Sequence, residues 1–176
     1  MLDSLIDYNA TELLALLKKR DISGVELVDR CIQQYYDVNP SLNAVVETNF
    51  EEARKLFKKF DDEFGTDDHP EPFLPLPVGV KDLNDVKGLK TTFGSPLFKN
   101  NVAKSDDDVV AQIKKASAVI FGKTNVPEHG FGATTTNPLQ GSTGNPFNKS
   151  LSAGASTGGG AAAVASGIVP LAAGSD

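Results

Sequence analysis

Residues Ala153 to Asp176 read AGASTGGGAAAVASGIVPLAAGSD: a glycine-serine turn, a run of small residues suited to a helix, and an apolar stretch suited to a strand. Gly154, Gly158, Gly159 and Gly160 surround Ser156 and Thr157. Where no Cβ stands in the way, a second backbone or a substrate can approach closely, so the turn presents hydroxyls on a tight support. Upstream, Pro77-Val78-Gly79-Val80-Lys81-Asp82 places one lysine at the end of a short apolar run, where a strand would deliver it into a site. A lysine brought to serine hydroxyls is a base beside a nucleophile, which suggests acyl transfer.

Working outward, the first sixty-four residues read as mainly helical. Asn9-Ala10-Thr11-Glu12 and Ser23-Gly24-Val25-Glu26 each set a polar cap three residues before a glutamate, a helix-start pattern. Leu13, Leu14 and Leu17 form the first apolar face, and Leu27, Val28, Cys31, Ile32 and Tyr35 the second. Asn39-Pro40 is expected to end the second helix, because the residue before proline avoids the α region. Asn43 to Glu47 then reads as a strand, and Phe50 to Phe64 as a third helix whose charges mark a solvated face. Gly65 to Pro77 is acidic and proline-rich and reads as a surface connection. Asp106, Asp107 and Asp108 suit a helix start, with Val109, Val110, Ile113 and Ala116 as its buried stripe. Ser117 to Phe121 is an apolar strand, Gly122-Lys123-Thr124-Asn125 a turn, and Pro127 prevents immediate continuation. This alternation indicates a layered α/β core, with residues 1–64 a helical portion and 65–176 the first part of the core rather than an independent domain.

Composition narrows the function. Forty per cent hydrophobic residues support one medium-sized core. A formal charge of -6 argues against a nucleic-acid partner and for a small-molecule substrate. No run approaches the roughly 20 apolar residues of a membrane span, and Met1-Leu2-Asp3-Ser4 lacks the features of a secretory signal, so a cytoplasmic protein is expected. Cys31 is the single cysteine, which excludes an internal disulfide.

Competing chemistries fail on spacing. Asp106 to Asp108 are three adjacent residues that point around a helix in different directions, and His69 and His129 are sixty residues apart with no neighbouring ligand, so no metal site is expected. Gly122-Lys123-Thr124 lacks the glycine five positions ahead that a phosphate loop needs, and Gly154 to Gly160 contains no lysine. Asn137 to Pro146 is turn-rich. Lys81 could be an exposed lysine beside Asp82, and Ser156 and Thr157 could serve as helix caps.

Val78 to Gly88, Ala118 to Glu128, Thr136 to Pro146 and Gly154 to Asp176 together are similar to the amidase signature family, from Leu42 onward. The resemblance implies an incomplete layered α/β/α fold with a mixed central sheet and N-terminal helices, and amide hydrolysis through a Ser-cisSer-Lys triad without a cofactor. Lys81 falls on the family's base and Ser156 on the relay serine, whose preceding peptide bond is usually cis. For Lys81 to act as a base it must be neutral, which burial favours. Gly130, Phe131 and Gly132 fall in the family's substrate-pocket wall, beside Pro127-Glu128-His129, and Thr157 is expected to face substrate. The family's usual G-G-S-S-G-G reads here with Ala155 and Thr157 at its second and fourth positions, and Ala155 adds a methyl beside the relay serine. Gly174-Ser175-Asp176 matches the start of the family's G-[ST]-D-x-G-G-S segment, so the nucleophilic serine is expected just after Asp176 and the chain reads as an N-terminal part. Two alternatives stand beside this. One is a catalytically inactive fragment that serves binding or assembly, with a second chain or a homo-oligomer covering the unfinished sheet. The other is a subunit of a glutamine-dependent amidotransferase.

Overall fold

The computed structural model describes residues 7–63 and 75–175. Helix α1 (Ala10–Lys19) and helix α2 (Gly24–Leu42) both begin at a full capping box, in which Asn9 and Ser23 accept from the backbones of Glu12 and Glu26 and the glutamates return the bond. Leu13 and Leu17 of α1 and Leu27, Val28, Cys31 and Ile32 of α2 are buried, so the helical spacing defines the inward faces as expected. The carboxylate of Asp61 accepts from the Gly24 and Val25 N–H groups at 2.7 and 2.9 Å. It thereby satisfies two donors that a helix start leaves without an intrahelical partner.

Pro40 does not end α2, contrary to the sequence expectation. The helix runs on to Leu42 and closes at Asn43, which adopts the left-handed conformation with φ 54°. Pro40 forfeits one bond, to the Tyr36 carbonyl, and it lies on the exposed side where water can serve that group. The exit is held by Asn39. Its Oδ1 accepts from Ala44 N and Val45 N, and its Nδ2 donates to Val45 O, each at 2.9 Å.

Strand β1 (Val45–Thr48) leads into α3 (Phe50–Glu63), whose Ala53, Phe57 and Phe60 are buried and whose lysines pair with Glu52, Asp62 and Glu63 along the exposed face. The predicted helix end at Phe64 and most of the acidic proline-rich connection lie outside the described residues. Its last residues depart from the surface reading: Pro75, Leu76 and Pro77 are buried, and Pro77 opens β2 (Pro77–Lys81). Helix α4 (Asp108–Lys115) starts after Asp107, and of its expected stripe Val110 is buried and Ile113 half-buried, while Val109 and Ala116 are exposed. Eight residues give room for one inward line and no more.

Strand β3 (Val119–Thr124) carries the largest correction, for Gly122, Lys123 and Thr124 continue the strand instead of turning. All six of its residues are buried. Gly122 is required there because a Cβ would collide with the carbonyl oxygen of Glu47 on β1. The turn-rich segment likewise folds into two small hairpins, β4 (Thr136–Asn137) with β5 (Gly141–Ser142) and β6 (Gly144–Asn145) with β7 (Asn148–Ser152). The small-residue run forms α5 (Gly158–Ala165), followed by β8 (Leu171–Ala172).

The main sheet has the order β1-β3-β2-β8, with β1 antiparallel to β3 and the other pairs parallel. Alternation along β3 divides the core. Val119 and Phe121 join α1, α2, α3 and α5 in the larger cluster, while Ile120 joins Val80, Val86 and Val110 under α4. The result is a mixed sheet with helices on both faces, the layered α/β arrangement expected from the sequence. No helix among the described residues is long and apolar enough to cross a membrane.

Candidate active site

Strand β2 is buried along its whole length, and it delivers Lys81, fully buried, at its C-terminal end. Register places Lys81 opposite Thr124 and Val80 opposite Lys123 on β3. The next residue continues the ladder, as Asp82 N donates to Thr124 O at 3.1 Å. The Asp82 carboxylate, also buried, accepts from Thr92 N and from the Thr92 hydroxyl, and pairs with Lys123 Nζ at 3.0 Å. Lys123 Nζ further donates to Thr91 Oγ1 at 2.9 Å and to the Lys90 carbonyl at 3.1 Å. A buried charge needs such partners, and these ones lash the Lys90 to Thr92 segment across the ends of β2 and β3. Burial lowers the Lys123 pKa below the ordinary lysine value of 10.5, with the Asp82 charge working in the opposite direction.

The opposite wall is the turn before α5. Gly154, at φ 79°, directs its carbonyl to the Thr135 N–H (2.9 Å) and hydroxyl (2.7 Å). The Ala155–Ser156 peptide bond is cis, as the resemblance implied. Thr157 occupies the N-cap position of α5, but its side chain makes no capping bond. The helix start packs flat on the sheet because Gly159 meets the Asn125 backbone and the Ala44 carbonyl where a Cβ would overlap both. The close backbone approach inferred from the glycine cluster is therefore made by the chain itself.

These two walls converge on one amine. Lys81 Nζ lies 2.7 Å from Ser156 Oγ, 3.1 Å from Thr157 Oγ1 and 3.0 Å from Ser175 Oγ. The Ser175 carbonyl oxygen is 3.3 Å away. The Thr157 hydroxyl also donates to that carbonyl at 3.2 Å and accepts from Ser175 N at 3.4 Å. Lys81 is thus brought to Ser156 and Thr157 across more than seventy residues of sequence. Ser175 joins them without having been singled out, since its hydroxyl gave no signal beyond its place in the G-[ST]-D match. Lys123, set aside as a failed phosphate-loop match, and Asn125, read as a turn residue, are both structural hubs. Asn125 Nδ2 donates to Thr143 Oγ1 at 3.0 Å, and its Oδ1 accepts from Asn137 Nδ2 at 2.8 Å.

The Gly130-Phe131-Gly132 segment makes no hydrogen bond to this centre among those described. A Cβ on Gly130 would strike Leu83, two residues beyond Lys81, and Phe131 is 91% exposed. His129 is exposed as well, and its N–H donates to the Phe93 carbonyl at 2.7 Å. The acidic cluster serves the loop after β2: Asp106 accepts from Lys87 N and pairs with Lys114, and Asp107 accepts from Asp85 N. Among the described residues no group of three His, Cys, Asp or Glu could hold a metal ion.

A family model described as Amidase matches residues 26–176, which begins within α2 and earlier than the motif resemblance at Leu42. One component of the glutamyl-tRNA(Gln) amidotransferase of Geobacillus thermodenitrificans is 36% identical over 173 residues, covering 98% of this chain and 36% of that protein. An acylamidase of Rhodococcus erythropolis is 38% identical over 168 residues, covering 96% of this chain and 35% of that protein. A solved structure from a vestigial protein complex bearing on the origins of an s-triazine catabolic enzyme aligns with a TM-score of 0.90 at 31% identity. That alignment covers 96% of this chain and 37% of the other. The chain spans 36% and 35% of the length of these two curated relatives.

Proposed function

As the chain belongs to the amidase family, the amidase signature enzymes, we propose that it carries the base and the proton relay of an amide hydrolase. The observation that carries this reading is the 2.7 Å approach of the fully buried Lys81 Nζ to Ser156 Oγ. Removal from water disfavours the ammonium and so favours the neutral amine that a base must be. Lys81 takes the proton of Ser156, and Ser156 takes that of a nucleophilic serine following Asp176. That serine attacks the amide carbonyl, the C–N bond breaks, and ammonia or an amine leaves with the proton returned along the same path. Water then hydrolyses the acyl-enzyme. The donors for the oxyanion and most of the pocket belong, on this reading, to the remaining two thirds of the relatives' length. Gly130, Phe131 and Gly132 form part of the wall, a role supported by the seat of Gly130 on Leu83, and Thr157 faces substrate beside Lys81.

The test supplies the relatives' remaining portion in trans. The chain is purified with the segment of the Rhodococcus acylamidase that follows the matched region, and release of ammonia or amine from simple amides is measured. Turnover abolished by Lys81→Ala and by Ser156→Ala is the expected result. Turnover that survives both changes, or a complex that forms and turns nothing over, sinks the reading.

A second reading, as an assembly element or one component of an amidotransferase, is favoured by the face beside β8. Leu171 and Val164 are 42% and 41% exposed, and with Tyr8 and Pro170 they line a groove of about 540 Å³. On its far side β8 pairs with no strand among the described residues. Unpaired edges and apolar surface promote association with another chain. Sedimentation of the isolated chain as a monomer at all concentrations would count against it. Both readings suit a cytoplasmic protein.

A further inference from the structure

The turn that carries Ser156 is bracketed by one side chain, that of Thr135. The Thr135 hydroxyl donates to the Gly154 carbonyl at 2.7 Å, and the Thr135 N–H donates to the same oxygen at 2.9 Å. That carbonyl thus has a partner for each of its two lone pairs. The same hydroxyl packs against the other end of the turn, where a Cβ on Gly158 would overlap it. Gly154 and Gly158 stand two residues before and two residues after Ser156, so a single buried hydroxyl touches both sides of the relay serine. Thr135 is 1% exposed, which keeps bulk water from competing for its bonds. Its own place is set from the end of β3. The Thr135 carbonyl accepts from Thr143 N at 2.9 Å, Thr143 Oγ1 accepts from Asn125 Nδ2 at 3.0 Å, and Asn125 follows Thr124, the register partner of Lys81. Base and relay are therefore both referred to one strand end.

We propose that Thr135 is the positioning residue of the relay: its hydroxyl holds the turn at the place from which Ser156 Oγ meets Lys81 Nζ. The inference rests on the reading of Lys81 as base and Ser156 as relay. Thr135 bonds to neither group among the hydrogen bonds described, and it acts through the backbone on either side of Ser156. A side chain of the same shape without the hydroxyl keeps the N–H bond but takes the shorter of its two partners from the Gly154 carbonyl. The 2.7 Å contact between Lys81 and Ser156 then loosens, and a proton transfer that needs hydrogen-bond reach slows.

The experiment assigns the side-chain methylene resonances of Lys81 and Lys123 in the 176-residue chain by NMR, with the response of Lys81 to Ser156→Ala as the reference. In Thr135→Val the Lys81 resonances are expected to shift in the same direction as in Ser156→Ala, while those of Lys123 stay in place. Thr135→Ser, which retains the hydroxyl, gives the native spectrum. Gly158→Ala drives a methyl into the Thr135 hydroxyl from the other side and produces the same Lys81 shift, so the result does not hang on one variant folding. With the relatives' remaining portion supplied in trans, Thr135→Val lowers kcat by about 10²-fold at unchanged KM, and Thr135→Ser recovers most of the loss. Lys81 resonances that stay put in both Thr135→Val and Gly158→Ala, or that move together with those of Lys123, overturn the inference and leave the base-and-relay reading standing. So does a kcat that Thr135→Val leaves intact while Lys81→Ala abolishes it. A Lys81 signal indifferent to Ser156→Ala overturns the inference and that reading together.

Discussion

Lys81 and Lys123 are fully buried on adjacent parallel strands, one register step apart. Their surroundings differ in kind. Lys123 Nζ rests on the Asp82 carboxylate, a carbonyl and a threonine hydroxyl, a set that includes an opposite charge and holds a loop. Lys81 Nζ meets the Ser175 carbonyl and the hydroxyls of Ser156, Thr157 and Ser175, and the hydroxyls can return a proton as well as accept one. The same side chain at the same depth thus becomes a structural clamp in one place and a candidate base in the other, and the partners decide which. The clamp also fixes the end of β2 that carries Lys81, because Asp82 follows Lys81 directly in the chain.

The comparison breaks most readily on activity. With the relatives' remaining portion supplied in trans, Lys81→Ala lowers kcat by about 10²–10⁴-fold, and a loss no larger than that of an exposed lysine would remove the distinction. Next in size is stability. Lys123→Ala leaves the buried Asp82 carboxylate without its partner and lowers the unfolding free energy by about 3–5 kcal/mol, measured by urea denaturation. The double variant Asp82→Asn with Lys123→Met recovers much of that loss if the ion pair is the cause.

A smaller effect sharpens the electrostatic side. The folded chain holds Lys123 below its ordinary pKa of 10.5, chiefly through burial. Between that lowered value and 10.5 the unfolded chain retains a proton that the folded chain has released, so stability rises with pH across this window and the group adds no slope below it. Urea midpoints collected through the alkaline range show the rise in the native sequence and its absence in Lys123→Met. Smallest is a control remote from both lysines. Asn9→Ala removes the cap of α1 and lowers stability by about 0.5–2 kcal/mol, with the activity of the completed enzyme unchanged.

Much of this architecture was legible because its signals are local. Capping boxes occupy four consecutive residues, and the apolar faces of α1 and α2 repeat within one or two turns. The failures share a cause. Gly122-Lys123-Thr124 resembles a turn so long as a lysine is assumed to seek water, and the carboxylate that lets it stay in β3 lies forty-one residues away. Pro40 resembles a helix end until Asn39 and Asn43 are seen to hold the last turn. Ser175 carried no mark beyond its place in the G-[ST]-D match, since ninety-four residues separate it from Lys81.

The sequence by itself determined the helices, the strand that ends in Lys81, and the residue types able to move a proton, because each depends on neighbours a few positions apart. Only the tertiary structure decided which lysine is clamped and which meets hydroxyls. It also decided that Thr157 binds the backbone of Ser175 instead of capping its helix. Those outcomes depend on desolvation and on partners that the chain brings together only when the sheet closes.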